Sequence, residues 1–313
     1  MERLQFGDRN KLIVSSQDVI WTVNTQTAET ELLAGVRGTT GFQDVEPLNG
    51  EPYPLFNTVR GFIVLNETHL LLADTNNHCL RFLNMLTSAT STYAGECTQM
   101  GQEDGYLKEQ ARFNKPTVII RQEFFLFYIL DQGSSRVRSI DWRESPRNRV
   151  HTYRVLEPYA KLADHQISSM IFSGSDYAFI SHRKQGIARF SRSTNDLLEE
   201  KDVELLTSGI QGQVDGEIST AQFGVVLDIA FLHGTDEVLI VLDEWNQPRY
   251  INLTEGLVYP GNQSLTFNTP ICVLSMEECV YIGGSFGIQC THPDDIRGKQ
   301  AATPIHFHYD DEE

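Results

Sequence analysis

The stretch Leu70-Leu-Leu-Ala-Asp-Thr-Asn-Asn-His-Cys-Leu-Arg-Phe82, followed by Ser91-Thr-Tyr-Ala-Gly95, decides the fold. An apolar run leads into Asp74. A polar turn over residues 75–77 follows, then a run whose side chains alternate, and Ala94-Gly95 closes a third run. Short runs of this kind, bounded by turn residues, read as β-strands. Weak copies recur along the chain, so the stretch is one unit of a repeat array.

Working outward, six units emerge, at residues 3–35, 57–95, 116–155, 166–209, 224–261 and 269–308. Each holds about four short strands, which predicts an all-β, six-bladed β-propeller over residues 1–303. Residues 304–313 are either the last strand or an acidic C-terminal tail. Leu4-Gln-Phe6 either completes the first blade or pairs with the last. Long Gly-bearing linkers, such as residues 36–56, carry the chain from one outer strand to the next inner one, a path that glycine eases. Residues 107–113 and 218–223 are expected to form a turn or two of helix within linkers.

Composition narrows the function. The 313 residues include 42 acidic against 25 basic ones, a formal charge of −17. Nucleic-acid binding relies on Lys and Arg neutralising phosphates, so this field works against it. A local basic segment, Arg136, Arg138, Arg143, Arg147 and Arg149 around Trp142, reads as a solvated hairpin tip. No apolar run reaches the roughly 18 residues of a membrane span. The N-terminus lacks a signal-peptide core, which suits a cytosolic protein or a mature or excised domain.

Cysteine positions and sequons favour the second. Cys79 and Cys97 flank a reversal near residues 87–89, so a hairpin there sets them opposite each other. Cys272 and Cys279 flank Ser275-Met276 in the same way, with Cys290 an alternative partner for Cys279. An odd count leaves one thiol over. Disulfides imply an oxidising compartment. Three N-glycosylation sequons, at Asn66, Asn252 and Asn262, sit in or beside predicted turns. The expected location is extracellular, as a secreted protein or an ectodomain.

The repeat itself resembles the NHL repeat. In that family a strand ends in Ala-Asp-Thr, a turn supplies Asn-His, and a linker ends in Ala-x-Phe-x-x-Pro. Here these are Ala73-Asp-Thr75, Asn77-His78 and Ala111-Arg-Phe-Asn-Lys-Pro116. The third unit matches at Leu130-Asp131 and Arg136-Val-Arg138. The fifth matches at Leu242-Asp243, after Asp215-Gly216 and Ala221-Gln-Phe223. The resemblance implies an NHL-type propeller but no single activity, since such propellers host many.

In a propeller the turns between second and third strands gather with the linkers on one rim. That rim is expected to hold Asp74, His78, Asp131, Arg136, His182, Arg183, Asp243 and Trp245 as candidate binding residues. Asp74 and Asp131 are expected to cap their own turns by side-chain-to-backbone hydrogen bonds. Trp245, in a polar turn, is the candidate anchor, since exposed aromatics recur at interface hot spots. An amidating-lyase-like propeller would need three histidines for an open zinc site, and only His78 and His182 fall at such turns. A gluconolactonase-like propeller would hold calcium or another divalent cation with oxygens such as those of Asp228 and Asp243. No phosphate loop is present. The sequence therefore predicts an extracellular, non-catalytic scaffold without cofactor that binds a protein or peptide through rim loops. The alternative is a metal-dependent propeller enzyme using zinc or calcium.

Overall fold

The computed structural model describes residues 3–8, 10–46, 53–144, 148–155, 167–174, 177–191, 203–245, 247–261, 270–275, 280–284, 287–291 and 305–307. Contacts divide the chain into two compact units, Met1–Pro158 and Tyr159–Glu313. Among the described residues each unit holds three antiparallel sheets.

In the first unit, the first sheet runs Arg3–Asp8, Lys11–Ser15, Val19–Asn24, Thr30–Gly35. The second runs Val59–Asn66, His69–Asp74, Cys79–Asn84, Thr90–Ala94. The third runs Pro116–Glu123, Leu126–Asp131, Arg136–Asp141, Arg149–Val155. A two-residue strand from the preceding linker, Gly105–Tyr106, pairs with its outer edge.

In the second unit, the fourth sheet runs Ile167–Phe172, Tyr177–His182, Gly186–Ser191, Val203–Leu205. The fifth runs Val226–Phe231, Val238–Asp243, Arg249–Asn252, Leu257–Pro260, and Gly216–Glu217 covers its outer edge. The sixth runs Pro270–Ser275, Val280–Gly284, Gly287–Thr291, Ile305–Phe307.

Two open points are thereby answered. Arg3–Asp8 pairs with Lys11–Ser15 inside the first sheet. Ile305–Phe307 pairs with Gly287–Thr291, so a last strand stands where a tail was the alternative. The two expected linker helices do not form. Residues 107–110 and 218–220 are turns, because the two residues before each are drawn into a sheet edge.

The fold is an all-β β-propeller. The expected count of six blades is corrected to five. Five sheets share one mark: the first strand bulges just after its first residue, at Val59/Gly61, Pro116/Val118, Ile167/Ser169, Val226/Asp228 and Pro270/Cys272. The first sheet shifts register elsewhere, between Phe6 and Asp8. Among the described residues five of the six sheets thus share one starting bulge.

The core lies between neighbouring sheets. Ile63, Leu71 and Ala73 pack with Ile119, Phe127 and Ile129 of the third sheet. Phe62, Leu70 and Leu72 pack the other way, with Ile13 and Ile20 of the first. This is why residues 70–73 form a continuous apolar run. Both faces of the strand are covered, so the alternation of a half-exposed strand is lost. In the second unit Ile229, Leu239 and Val241 meet Phe179 of the fourth sheet. On the other face Ala230, Ile240 and Leu242 meet Val273 and Ile282 of the sixth.

Candidate functional site

At the linker end of the second, third and fifth sheets one arrangement is built three times. The second strand ends in an aspartate, the third strand carries an arginine two pairs further in, and the preceding linker supplies a second aspartate. In the second sheet these are Asp74, Arg81 and Asp44. Arg81 is wholly buried. Its Nη1 donates to Asp74 at 2.9 Å and to the Leu55 carbonyl at 2.6 Å. Its Nη2 donates to Asp44 at 2.8 Å and to the Gln43 carbonyl at 2.5 Å.

The third sheet repeats this with Arg138, Asp131 and Asp104, at 3.2 Å and 2.6 Å, plus the carbonyls of Arg112 and Glu103. The fifth repeats it with Arg249, Asp215 at 2.6 Å and a looser Asp243 at 3.9 Å, plus the carbonyls of Gln222 and Val214. In each case the guanidinium lies over a buried linker phenylalanine, Phe56, Phe113 or Phe223, at 4.9, 5.3 and 4.1 Å. Arginine suits this task because its planar fork serves several acceptors at once and also stacks on an aromatic face. The linker aspartate reaches onward too: Asp44 accepts from Thr92 N–H and Oγ1, and Asp104 from Thr152 N–H and Oγ1. The result is a lock that ties each linker across the end of its blade.

This changes the reading of the acidic candidates. Asp74 and Asp131 do not cap their own turns through backbone N–H groups. They accept from linker backbone instead, from Asn57 N–H at 2.8 Å and Asn114 N–H at 2.7 Å. The second oxygen takes a turn side chain, Asn77 at 2.8 Å or Ser134 at 2.5 Å. The turn is shaped instead by a left-handed residue, His78 at φ 59° and Ser135 at φ 50°. Asp243 does bond its own turn, accepting from Trp245 N–H at 3.1 Å, as well as from Gly224 N–H at 3.1 Å.

Burial raises the pKa of all three carboxyls, and Asp131 reaches about 6. The physical cause is plain for Asp131. Desolvation is the larger effect there, and the hydrogen bond from Ser134 and the charge of Arg138 offset it only in part.

The other candidates take separate places. His78 is half-buried, and its Nδ1 accepts from Lys115 N–H at 3.1 Å. Burial, then Lys115, pushes its pKa down. Arg136 is half-buried and donates to the Gln102 carbonyl at 3.1 Å. His182 is buried at the strand end that holds Asp74 and Asp131 in other sheets, and Arg183 follows it half-buried. Asp228 is buried and accepts from Ile229 N–H at 2.9 Å and Val273 N–H at 3.0 Å, so it joins the fifth sheet to the sixth. Trp245 is 48% exposed. It lies so close over Gly224 that a Cβ there would stand 2.4 Å from its Nε1.

Among the described residues the basic segment is divided between separate partners, and Arg147 lies outside them. Arg138 is buried in the lock, and Arg143 pairs with Asp141 at 2.6 Å. Trp142 packs on Phe127 at 4.5 Å and donates to Tyr93 Oη at 2.5 Å. Among the described residues no group of three or more His, Cys, Asp or Glu is placed to hold a metal. Among the same residues no helix is long and apolar enough to cross a membrane.

Cys79 and Cys97 form a disulfide with a Cα–Cα distance of 5.0 Å, which bolts the second linker to the second sheet. Such a bond is characteristic of secreted and periplasmic proteins. Cys272 is buried in the sixth sheet. Cys279 lies outside the described residues, as does the side chain of Cys290. Strand Val280–Gly284 separates Cys272 from Cys290, about two strand spacings, or roughly 10 Å, apart. Asn66 is exposed and Asn252 half-buried, both at hairpin turns, and Asn262 lies outside the described residues.

No family model matches the chain, and no curated protein does. Solved structures do. An auxiliary nutrient binding protein from Bacteroides thetaiotaomicron is similar, with a TM-score of 0.61 at 13% identity. One from Bacteroides ovatus has a TM-score of 0.62 at 12% identity. A protein of unknown function from Bacteroides thetaiotaomicron has 0.57 at 12%. The chain is covered over 90% of its length in each case and spans 66% of each of those proteins. At such identity the likeness establishes the fold.

Sequence reasoning missed Arg81, Arg138 and Arg249 as framework residues, and Asp44 with them. The signal was present. An arginine follows the strand-end aspartate by seven, seven and six positions, each time after a linker aspartate.

Proposed function

We propose that the chain is a secreted, non-catalytic scaffold, a propeller of NHL type, which binds a protein or peptide through its linker-end loops. One observation carries the reading. The strand-end aspartates Asp74, Asp131 and Asp243 are buried and committed to the blade framework, whereas large apolar side chains beside them are exposed. In the second unit these are Trp245 and Ile210, the latter 62% exposed. They are joined through the ladder of Gly212 N–H to the Phe223 carbonyl and the ring contact of Trp245 with Gly224. A backbone held by fixed hydrogen bonds presents such anchors at little ordering cost. The nutrient-binding description of proteins with this fold agrees with a binding role, and the disulfide agrees with secretion.

Panning a random peptide library on the disulfide-intact protein tests this. Enriched peptides should bind Trp245→Ala or Ile210→Ser at least tenfold more weakly, while thermal unfolding of both variants stays near wild type. No enrichment, or peptides indifferent to both substitutions, would overturn the reading.

A further inference from the structure

The opposite, hairpin end of the first unit carries a feature that the binding reading does not use. The two-residue tip of the first hairpin of the third sheet is Phe124-Phe125. These rings are 65% and 43% exposed and meet edge to face at 4.9 Å. Adjacent aromatic residues left open to water on a rigid hairpin call for a cover. Arg121 stacks on one face of Phe124 at 4.5 Å. The same guanidinium donates to the Leu65 carbonyl of the second sheet at 3.1 Å. Leu65 precedes Asn66, the first residue of the sequon Asn66-Glu-Thr68. One arginine thus holds the aromatic tip beside the sequon of the neighbouring blade.

The sequon is in an open geometry. Asn66 is exposed at its own hairpin tip. Its Oδ1 accepts from Thr68 N–H at 2.9 Å and from Thr68 Oγ1 at 3.0 Å. The oxygen is engaged and Nδ2, the atom that carries a glycan, has no protein partner among the described residues. We propose that Asn66 is an N-glycan acceptor and that the first sugars of its glycan are seated on the Phe124-Phe125 tip. An N-acetylhexosamine has a C–H-lined face that suits the negative face of an aromatic ring, and hydroxyls and an acetamide that keep its other side wet. Attachment joins Nδ2 to the anomeric carbon of a sugar delivered as a diphospholipid donor. The bond from the anomeric carbon to the diphosphate oxygen breaks, the lipid diphosphate leaves, and the amide nitrogen loses one proton. The proposal rests on the secreted reading, because only in the secretory route does the chain meet that donor. It adds that the hairpin end is shielded while the linker end stays free.

The experiment uses the full chain secreted from a eukaryotic host. Peptide mass mapping should find Asn66 occupied. Asn66→Gln should lower Tm by about 2 °C or more, and the same change in a Phe124→Ser background should cost much less. Hydroxyl-radical labelling of Phe124 should rise at least twofold after enzymatic removal of the glycan, a readout that needs no substitution. An unmodified Asn66, or equal Tm losses in both backgrounds with unchanged labelling, would overturn the seat. So would self-association of the Asn66→Gln protein that Phe124→Ser abolishes, since the tip would then be a contact between copies. Failure of the secreted reading shows separately, as reduced Cys79 and Cys97 in protein taken from its native source.

Discussion

The third and fourth sheets have the same strand order, and the same bulge after the first residue of the first strand, yet they are fastened differently. In the third, Ile129 pairs with Arg138, and the guanidinium collects two carboxylates and two carbonyls. In the fourth, the pair at that register is Ile180 and Ala188, and the strand ends in His182 where the third has Asp131. Hydroxyls do the fastening instead. Ser168 and Ser181 meet at 2.8 Å, and Thr207 Oγ1 accepts from Ile187 N–H at 3.1 Å and donates to the Gln185 carbonyl at 3.2 Å. The β-ladders and apolar packing therefore suffice to form a blade. The arginine lock serves a different end, the fixing of a linker. That separation predicts where the molecule is sensitive to substitution.

The largest effect is expected from Arg138→Ala. It leaves Asp131 buried without its cation and strips the carbonyls of Arg112 and Glu103 of their donor. Breaking a buried pair on one side costs about 3–5 kcal/mol. Urea unfolding of Arg138→Ala against wild type measures it, and a loss below about 1 kcal/mol would mean that the lock is ornamental to stability.

Removing the bolt of the second linker comes next. Cys79 and Cys97 enclose a sequence separation of 18 residues, and a loop of that size corresponds to roughly 3 kcal/mol in the chain-entropy account. The Cys79→Ser/Cys97→Ser double variant should lose that much, while reductant should leave its unfolding curve unchanged. A wild type equally indifferent to reductant would contradict the bridge.

How much of this was legible in the chain follows from the same contrast. Strands and turns could be read because apolar runs and turn residues act locally, and the disulfide because Cys79 and Cys97 flank one hairpin. Asp74 and Asp131 were recognised as structural, but their partners were misassigned. A carboxylate three or four residues from free N–H groups suggests a cap, and nothing local reveals that a linker 17 residues upstream supplies the N–H instead. The arginines were hidden for a related reason. Arg138 sits among Arg136, Arg143 and Arg149 in sequence, so it reads as part of a solvated basic patch. Only the alternation of the strand turns it inward. Trp245 kept its place as an exposed candidate because a polar turn is a local signal.

The pH dependence reports on the buried carboxylate of one lock. Asp131 has a folded-state pKa of about 6, above its ordinary value of 3.8. The folded state therefore holds this proton more tightly than the unfolded chain does. Its contribution is fully present below about pH 4 and is lost as pH rises through 6. Relative to Asp131→Asn, wild type should lose on the order of 2 kcal/mol of unfolding free energy between pH 4 and pH 7. A gap that stays constant, or widens in favour of wild type with pH, would mean that Arg138 outweighs burial.

The smallest effect is the control that gives the comparison its edge. The fourth sheet has an arginine of its own one position beyond the lock register. Arg189 meets Glu204 at 2.8 Å, but the two side chains are 33% and 60% exposed. Its guanidinium also lies 4.8 Å from the Tyr177 ring. Water screens such a pair and competes for both groups, so Arg189→Ala should change stability by less than about 1 kcal/mol. Salt should shrink that difference further, whereas the Arg138→Ala loss should persist in salt because the third-sheet guanidinium is sealed from solvent. If the two arginine substitutions cost the same, burial would not be what distinguishes a lock from a surface pair, and repetition of the motif in three sheets would need another cause.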